Sequence, residues 1–252
     1  MSDLPSPTDA TAEPLPDAAA PTSEPALSSD ALADDPHYRD GAIDLLGVLA
    51  YGELTAFERL AEDARLAPTL ADKVHIAQMS ALQIEHFRRV EARLSALHAD
   101  VMEAMQPFHA PFNAFHEYTA PKTWLEGLLK AYVGDGFAAD FYREVAAFVD
   151  ADTRALVYEV LYDEHAEFVV DRVLAAIAAD PKVAGRLALW GRRLVGEALS
   201  QAQRVAADRD ALTSLLTGTV DRPGMDLAAL SRMFSRLIEK HTKRMATLGL
   251  QA

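Results

Sequence analysis

The pattern of hydrophobic and polar positions separates a polar beginning of the chain from a long helical body. From Asp40 onward, apolar residues recur every three or four positions, while the alternation typical of β-strands is scarce. This spacing predicts helices, and the prolines of the body fall largely in the connections between them. The predicted helices span residues 38–65, 69–99, 123–149, 150–178, 180–209 and 225–246.

Capping residues and prolines support the predicted boundaries. Thr69 or Asp72 can begin the second helix. Asp150 or Asp152 can begin the fourth. The segment 106–122 contains three prolines and is predicted as a crossover connection with a short turn at most. Four long helices joined in pairs by such a crossover predict an all-α four-helix bundle, flanked by two additional C-terminal helices.

Polar residues interrupt the apolar stripe near the middle of each of the four long helices. A four-helix bundle brings these midpoints to one level, so we expect their side chains to meet in the core. Two buried carboxylates, Glu53 and Asp135, would repel each other unless a cation or a shared proton lay between them. A metal ion bound by carboxylate oxygens and imidazole nitrogens would resolve this repulsion. The midpoint residues are Glu53, Gln83, His86, Asp135, Tyr162 and His165.

The sequences around these residues occur twice. "YGELTAF" is echoed by "VGDGFAADF", and "QIEHF" is echoed by "YDEHAEF". The two carboxylates are 82 residues apart and the two histidines are 79 residues apart, which suggests duplication of a helical hairpin. Gly52, Gly134 and Gly136 adjoin the carboxylates and cost helix stability. Their small size can let helices approach closely or leave room for an ion or substrate.

This pattern resembles the ferritin-like di-iron carboxylate fold, in which two helices each supply a glutamate and two each supply Glu-x-x-His. The best local resemblance is to the tRNA methylthio-isopentenyl-adenosine hydroxylases and a hydroxylase-like sister group, over residues 38–178. The resemblance implies an iron cofactor of one or two ions, with manganese as a second metal to test, and activation of dioxygen. The matching ligand positions are Glu53, His86, Asp135 and His165.

Two positions depart from the family pattern. Where the family has glutamate three residues before each histidine, this chain has Gln83 and Tyr162. Glutamine is a weak ligand, and tyrosine commonly donates a hydrogen bond instead; Tyr162 and Tyr158 are predicted as core aromatics. Glu85 and Glu164 directly precede the histidines, about 100° away around an ideal helix. They are weaker ligand candidates that a π-bulge could turn inward.

Composition narrows the class of protein. The chain has 252 residues, a formal net charge of −14 and no cysteine, which excludes disulfides, thiolate metal sites and cysteine nucleophiles. No apolar run is long enough to span a membrane and no signal-peptide pattern is present, so we expect a cytoplasmic protein without a membrane partner. Residues 1–36 hold eight acidic residues, seven of the thirteen prolines and no Lys or Arg. They are predicted to be a disordered tail preceding a helical domain at 37–252.

Two functional hypotheses remain open at this point. The first is a non-haem iron oxidoreductase of the hydroxylase type, with a modified tRNA base as one candidate substrate. The second is a ferritin-like protein whose metal site is degenerate or lost and which serves a structural or interaction role, for instance as a homodimer. Storage of iron or manganese is a third, weaker hypothesis. The last two helices carry local basic residues, such as "RLIEKHTKR", that could contact a tRNA backbone, although a solvated and balanced face is the favoured interpretation.

Overall fold

A computed structural model describes residues 36–162, 165–219 and 222–252. The predicted acidic tail up to residue 35 lies outside the described residues. The all-α class is confirmed, and a two-residue pairing of strands, β1 (Gly218–Thr219) and β2 (Arg222–Pro223), is a minor addition. The helices of the described chain are α1 (Pro36–Asp63), α2 (Leu70–Ala96), α3 (Val101–Met105), α4 (His109–Tyr118), α5 (Trp124–Leu129), α6 (Asp135–Ala146), α7 (Ala151–Val160), α8 (Ala166–Ala179), α9 (Lys182–Asp208), α10 (Asp210–Thr217) and α11 (Leu227–Thr247).

Helix α1 is the central element of the bundle. It packs along α2 and also contacts α3, α6 and α10. Its first half is buried on nearly every side, as expected for a helix that is apolar all round. The C-terminal helices cover the bundle: α9 lies against α4 and α5, and α11 lies against α6. No described helix combines the length and the apolar character needed to cross a membrane.

The connection between the two halves of the bundle is more helical than predicted. Residues 106–122 contain a 3₁₀ turn at Gln106–Phe108 and the ten-residue helix α4. Pro107 and Pro111 lie in the first turns of these elements, where a backbone N–H has no intrahelical acceptor to lose. The prediction of a short turn at most was therefore wrong, because proline position within a helix matters more than proline number.

The third predicted helix contains a π-helical turn at Lys130–Gly134, between α5 and α6. The Asp135 N–H donates to the Lys130 carbonyl, five residues earlier. Such a turn inserts one residue and rotates the helix that follows it. Asp135 is consequently exposed at the edge of the bundle, whereas it was predicted to be buried.

The fourth predicted helix is interrupted in the stretch "LYDEHAEF". Helix α7 ends at Val160 and α8 begins at Ala166. Arg143 donates a hydrogen bond to the Leu161 carbonyl, which satisfies one of the acceptors left by the end of α7. The prediction of one continuous helix was wrong, and Glu164 lies outside the described residues.

Helix α7 also presents a different face from the predicted one. Tyr158 is 46% exposed and Tyr162 is 68% exposed, so neither is the core aromatic that the sequence predicted. The buried positions are Thr153, Val157 and Val160 instead. These three residues have the same helical period as the predicted stripe, but they are displaced around the helix axis.

Candidate functional site

Most of the predicted site residues line one partly open cavity of about 170 Å³. It lies between α1, α2, α6 and the connection from α7 to α8. Apolar residues from two separate core clusters also line it, among them Leu60 and Val160. Glu85 is exposed and does not line the cavity. The predicted residues that do are Glu53, Gln83, His86, Asp135, Tyr162 and His165.

Glu53 and His86 are two predicted ligands that face each other in the core. Both are buried, at 6% exposure each, and His86 Nδ1 lies 3.4 Å from Glu53 Oε2. These two atoms have no hydrogen bond in good geometry with any described residue. Burial raises the pKa of the Glu53 carboxyl, and the neighbouring His86 opposes part of that rise. The pair is therefore a carboxylate and an imidazole facing each other in the core, with no hydrogen-bond partner for Oε2 or Nδ1 in the part of the chain that the structure describes.

Asp135 and Lys130 flank the π turn. Lys130 is buried and donates a hydrogen bond to the Thr119 carbonyl at 3.0 Å. Burial lowers the pKa of the Lys130 ammonium to about 8, and the charges of Asp135 and Asp63 oppose this fall. Tyr142, which is almost fully buried, has its phenol pKa raised by burial and, to a lesser extent, by the charges of Glu53 and Asp135. Its hydroxyl therefore keeps its proton beside the acids.

His165 contacts a histidine that the sequence reasoning had left aside. His165 Nδ1 lies 3.2 Å from His75 Nε2, within hydrogen-bond distance, and the two rings are perpendicular. The His75 ring stacks on Phe168, one turn into α8, at a centroid separation of 3.8 Å. This contact between α2 and α8 holds His165 at the rim of the cavity, because the interruption before α8 places it outside a continuous helix.

An open surface groove adjoins the cavity. The groove has a volume of about 510 Å³, and Arg89 and Glu159 form an ion pair in its wall. It shares Leu82, His86 and Tyr162 with the inner cavity. The exposed Tyr162 side chain therefore stands where a molecule from solvent would enter towards His86.

The donor set fits a metal ion in part. Glu53 and His86 supply one carboxylate oxygen and one imidazole nitrogen, the ligand types that iron and manganese accept. Asp135 and His165 line the same cavity. Within residues 36–162, 165–219 and 222–252, however, no three His, Asp or Glu side chains are gathered closely enough to hold a metal. The buried Glu53–His86 pair, whose facing atoms lack a hydrogen-bond partner among the described residues, therefore supplies two of the ligands that a metal site would need.

Two arginines of the cavity were absent from the predicted site. Arg143 on α6 and Arg244 on α11 both line it. The sequence had marked the segment containing Arg244 only as a basic helix face. Arg143 lies two turns after Asp135 on a helix already assigned to the site, so helical spacing could have indicated it. For Arg244 the only available signal was its charge.

Asp63, at the end of α1, belongs to a second group of charges around Lys130. It is half-buried and packs directly against the backbone of Gly127 in α5. Burial raises the pKa of the Asp63 carboxyl to about 6, with the charge of Lys130 opposing the rise. The pKa of Asp63 is therefore higher in the folded state than in the unfolded state. Its contribution to stability is fully present below the unfolded-state pKa of about 4 and is lost as pH rises through the folded-state pKa of about 6.

Replacement of Asp63 by asparagine should therefore remove a pH-dependent cost. We compare the free energy of unfolding of Asp63→Asn with that of the original chain at each pH. The difference in favour of the variant should be up to about 2 kcal/mol larger at pH 7.5 than at pH 4.5, after allowance for the partial exposure of Asp63. Urea unfolding at the two pH values measures this difference. Asp171→Asn, which changes an exposed acid on α8, is the matched control. Equal changes at both pH values for Asp63→Asn would contradict the assignment.

The family profile described as "Ferritin-like domain, actinomycetes" matches residues 36–219. The match covers most of the chain, and the chain belongs to this family of ferritin-like proteins. A similar solved structure is "Protein 19 with aldehyde deformylating oxidase activity from Synechococcus", with a TM-score of 0.64 and 21% identity over 86% of this chain and 94% of that chain. At this identity the likeness concerns the fold. No curated protein sequence matches the chain significantly.

Proposed function

We propose that the chain is a non-haem iron oxidoreductase with its metal centre in the bundle cavity. The observation that carries the proposal is the Glu53–His86 pair, whose facing atoms are buried and lack hydrogen bonds to any described residue. A buried carboxylate without a partner is unfavourable, and a bound cation would remove the cost. The ferritin-like fold and the oxidase activity named for the Synechococcus structure support the same class of chemistry.

In this proposal Glu53 and His86 bind the metal, and Asp135 and His165, which line the same cavity, would have to move towards the pair to complete the ligand set. Gln83 and Tyr162 are weaker candidates, because the Gln83 amide makes only a 3.5 Å contact to the Met79 carbonyl and Tyr162 is largely exposed. Bound iron would supply redox chemistry with dioxygen, which the protein side chains lack. His75 orients the His165 ring through the Nδ1 contact, as hydrogen-bond partners commonly do for histidine ligands.

Metal analysis of the purified full-length protein tests the proposal. Protein from cells grown with added iron, and separately with added manganese, should contain about one equivalent of metal per chain or more. The measurement is inductively coupled plasma mass spectrometry after gel filtration without chelator. Less than about 0.2 equivalents of any transition metal under both conditions would overturn the proposal. Two equivalents would additionally support a di-iron centre.

A metal-free ferritin-like protein with an interaction role is the second candidate function. The contact between His165 and His75 favours it, because it holds the fourth predicted ligand at the rim of the cavity. Leu227, Phe234 and Ile238 are exposed along one side of α11 and offer an apolar surface for association, consistent with the predicted homodimer. A chain that forms a dimer in light-scattering measurements but contains no metal would favour this candidate.

Action on a tRNA base remains a prediction. Several cations of the predicted basic faces are paired with residues of this chain. Arg209 pairs with Asp44, Arg236 pairs with Glu144, and Arg193 donates to the Tyr118 carbonyl. These contacts favour the interpretation of a balanced, solvated surface over a phosphate-binding one.

A further inference from the structure

Three cations surround a single carboxylate beside the cavity. Asp140 on α6 lies 3.3 Å from Arg143 Nη1, 3.4 Å from Lys240 Nζ and 2.7 Å from Arg244 Nη2. Arg143 Nη2 also donates to the Leu161 carbonyl, so both terminal nitrogens of its guanidinium make hydrogen bonds. One carboxylate balances one of the three positive charges, and the cluster therefore retains an excess of positive charge where α6 meets α11.

Arg244 has an unused donor within this cluster. Its side chain is only 16% exposed, and Nη1 is buried without a hydrogen-bond partner among the described residues. The same side chain lines the cavity. A buried charged donor without an acceptor is costly, and proteins usually satisfy it. An oxyanion in the cavity would supply the acceptor, and a guanidinium binds carboxylate and phosphate oxygens well.

The backbone of α6 is shaped to receive this side chain. A Cβ atom at position 136 would lie 2.6 Å from Arg244 Nε and 2.8 Å from Arg244 Cζ, so the guanidinium packs directly against the backbone of Gly136. Glycine inside a helix costs roughly 1 kcal/mol relative to alanine. Gly136 itself lines the cavity. Helix α6 is therefore less stable at the position against which Arg244 packs.

The rest of the cavity suits a small amphipathic molecule. Leu60, Met79 and Val169 give it apolar walls. A cavity of about 170 Å³ is comparable to one of about 150 Å³ that holds benzene. Two acids, Glu53 and Asp135, also line it and would oppose an anion. Glu53 faces His86, and the charge of Asp135 is partly offset by Lys130.

We propose that Arg244, assisted by the charge of Arg143, forms a subsite for the oxyanion group of a small organic substrate. The apolar part of that substrate lies against the aliphatic walls of the cavity. This inference deepens the proposed function by naming the substrate class of the same site: an organic acid or phosphate monoester with a short apolar chain. Arg244 lies beyond residues 36–219, so the C-terminal helix supplies this specificity from outside the matched ferritin-like region.

Binding of three six-carbon probes tests the subsite: hexanoate, hexyl phosphate and neutral 1-hexanol. Isothermal titration of the chelator-treated, full-length protein should give at least one anion a Kd about tenfold or more below that of 1-hexanol, the gain expected for a charged hydrogen bond. Arg244→Gln should abolish this preference. The control is Arg236→Gln on the same helix, which changes an arginine paired with Glu144 outside the cavity and should retain it.

Each outcome of this titration is decisive. A wild-type protein that binds neither anion more tightly than 1-hexanol overturns the subsite, as does a folded Arg244→Gln protein that keeps the preference. If Arg244→Gln does not fold, Arg244→Met keeps the aliphatic length but removes the charge, and an undiminished preference in that variant likewise overturns it. The stronger of the two anions identifies the headgroup. Because no metal is present, failure of the metal proposal leaves the titration readable, and failure of the titration leaves the metal proposal standing.

Discussion

Replacement of His86 by alanine should reduce the bound iron of the purified protein from about one equivalent per chain to below about 0.2 equivalents. The imidazole is buried at 6% exposure, and its Nδ1 faces Glu53 at 3.4 Å. No third His, Asp or Glu in the described chain is close enough to join the pair without movement. Loss of one of only two gathered donors should therefore remove most of the affinity. Metal analysis after gel filtration measures the loss.

A matched control separates this effect from adventitious binding. His109→Ala changes an exposed histidine on α4 that does not line the cavity, so it should leave the metal content unchanged. Iron that persists in His86→Ala but falls in His109→Ala would place the metal on the surface and refute the ligand assignment.

Glu53→Gln provides a second, opposite signature. The variant should also lose metal, and the advantage of its metal-free form over the metal-free original chain in urea unfolding should grow as pH rises. The reason is that the buried Glu53 carboxyl has a raised pKa and is destabilising when ionised. A protein that loses metal while gaining stability is typical of a functional site under strain. Lower stability without metal would instead indicate a structural role for Glu53.

The positions that the sequence predicted well lie on uninterrupted helices. Thr69 caps α2 by accepting a hydrogen bond from the Asp72 N–H, and Asp150 caps α7 in the same way through the N–H groups of Asp152 and Thr153. Glu53 and His86 lie on α1 and α2, which are regular throughout. Their relative depth therefore followed from helical periodicity, and they are the pair that meets in the core.

The positions that were predicted less well follow irregularities in the helices. Asp135 comes directly after the π turn, and His165 comes directly after the interruption between α7 and α8. One extra residue in a helix changes the direction of every later side chain by about 100°. The sequence "LYDEHAEF" contains neither glycine nor proline, so nothing local indicated that the helix ends there. Tertiary contacts such as the one from Arg143 to Leu161 decide it.

Arg244 illustrates a different limit of sequence reasoning. Its place in the cavity depends on how α11 packs against α6, and hence on a contact between residues more than a hundred positions apart. Helical periodicity describes one helix at a time and carries no information about which helices become neighbours. The glycine at position 136 was visible in the sequence, but its contact with the Arg244 guanidinium became visible only in the structure.

Gly47 lies where α1 packs directly against the backbone of α3, in the connection to the second half of the bundle. The residue is buried, and a Cβ atom there would overlap the Ala104 carbonyl oxygen and lie 2.7 Å from the Ala104 carbonyl carbon. Both are backbone atoms of α3, so a side-chain rotation cannot relieve the overlap. The first half of α1 is buried on nearly all sides, and a shift of α1 would disturb several neighbours at once.

Gly47→Ala should therefore destabilise the fold by about 3 kcal/mol or more, at the upper end of the range for overpacked cores. Gly196→Ala is the matched control, since Gly196 lies within helix α9 and has no atom within 4 Å of the added methyl group. It should stabilise the protein by roughly 0.5–1 kcal/mol, because alanine is the better helix former. Urea unfolding of the three proteins measures both changes. Glycine-to-alanine substitution should thus lower the free energy of unfolding at position 47 and raise it at position 196. A Gly47→Ala protein as stable as the original would show that α1 and α3 are further apart than described.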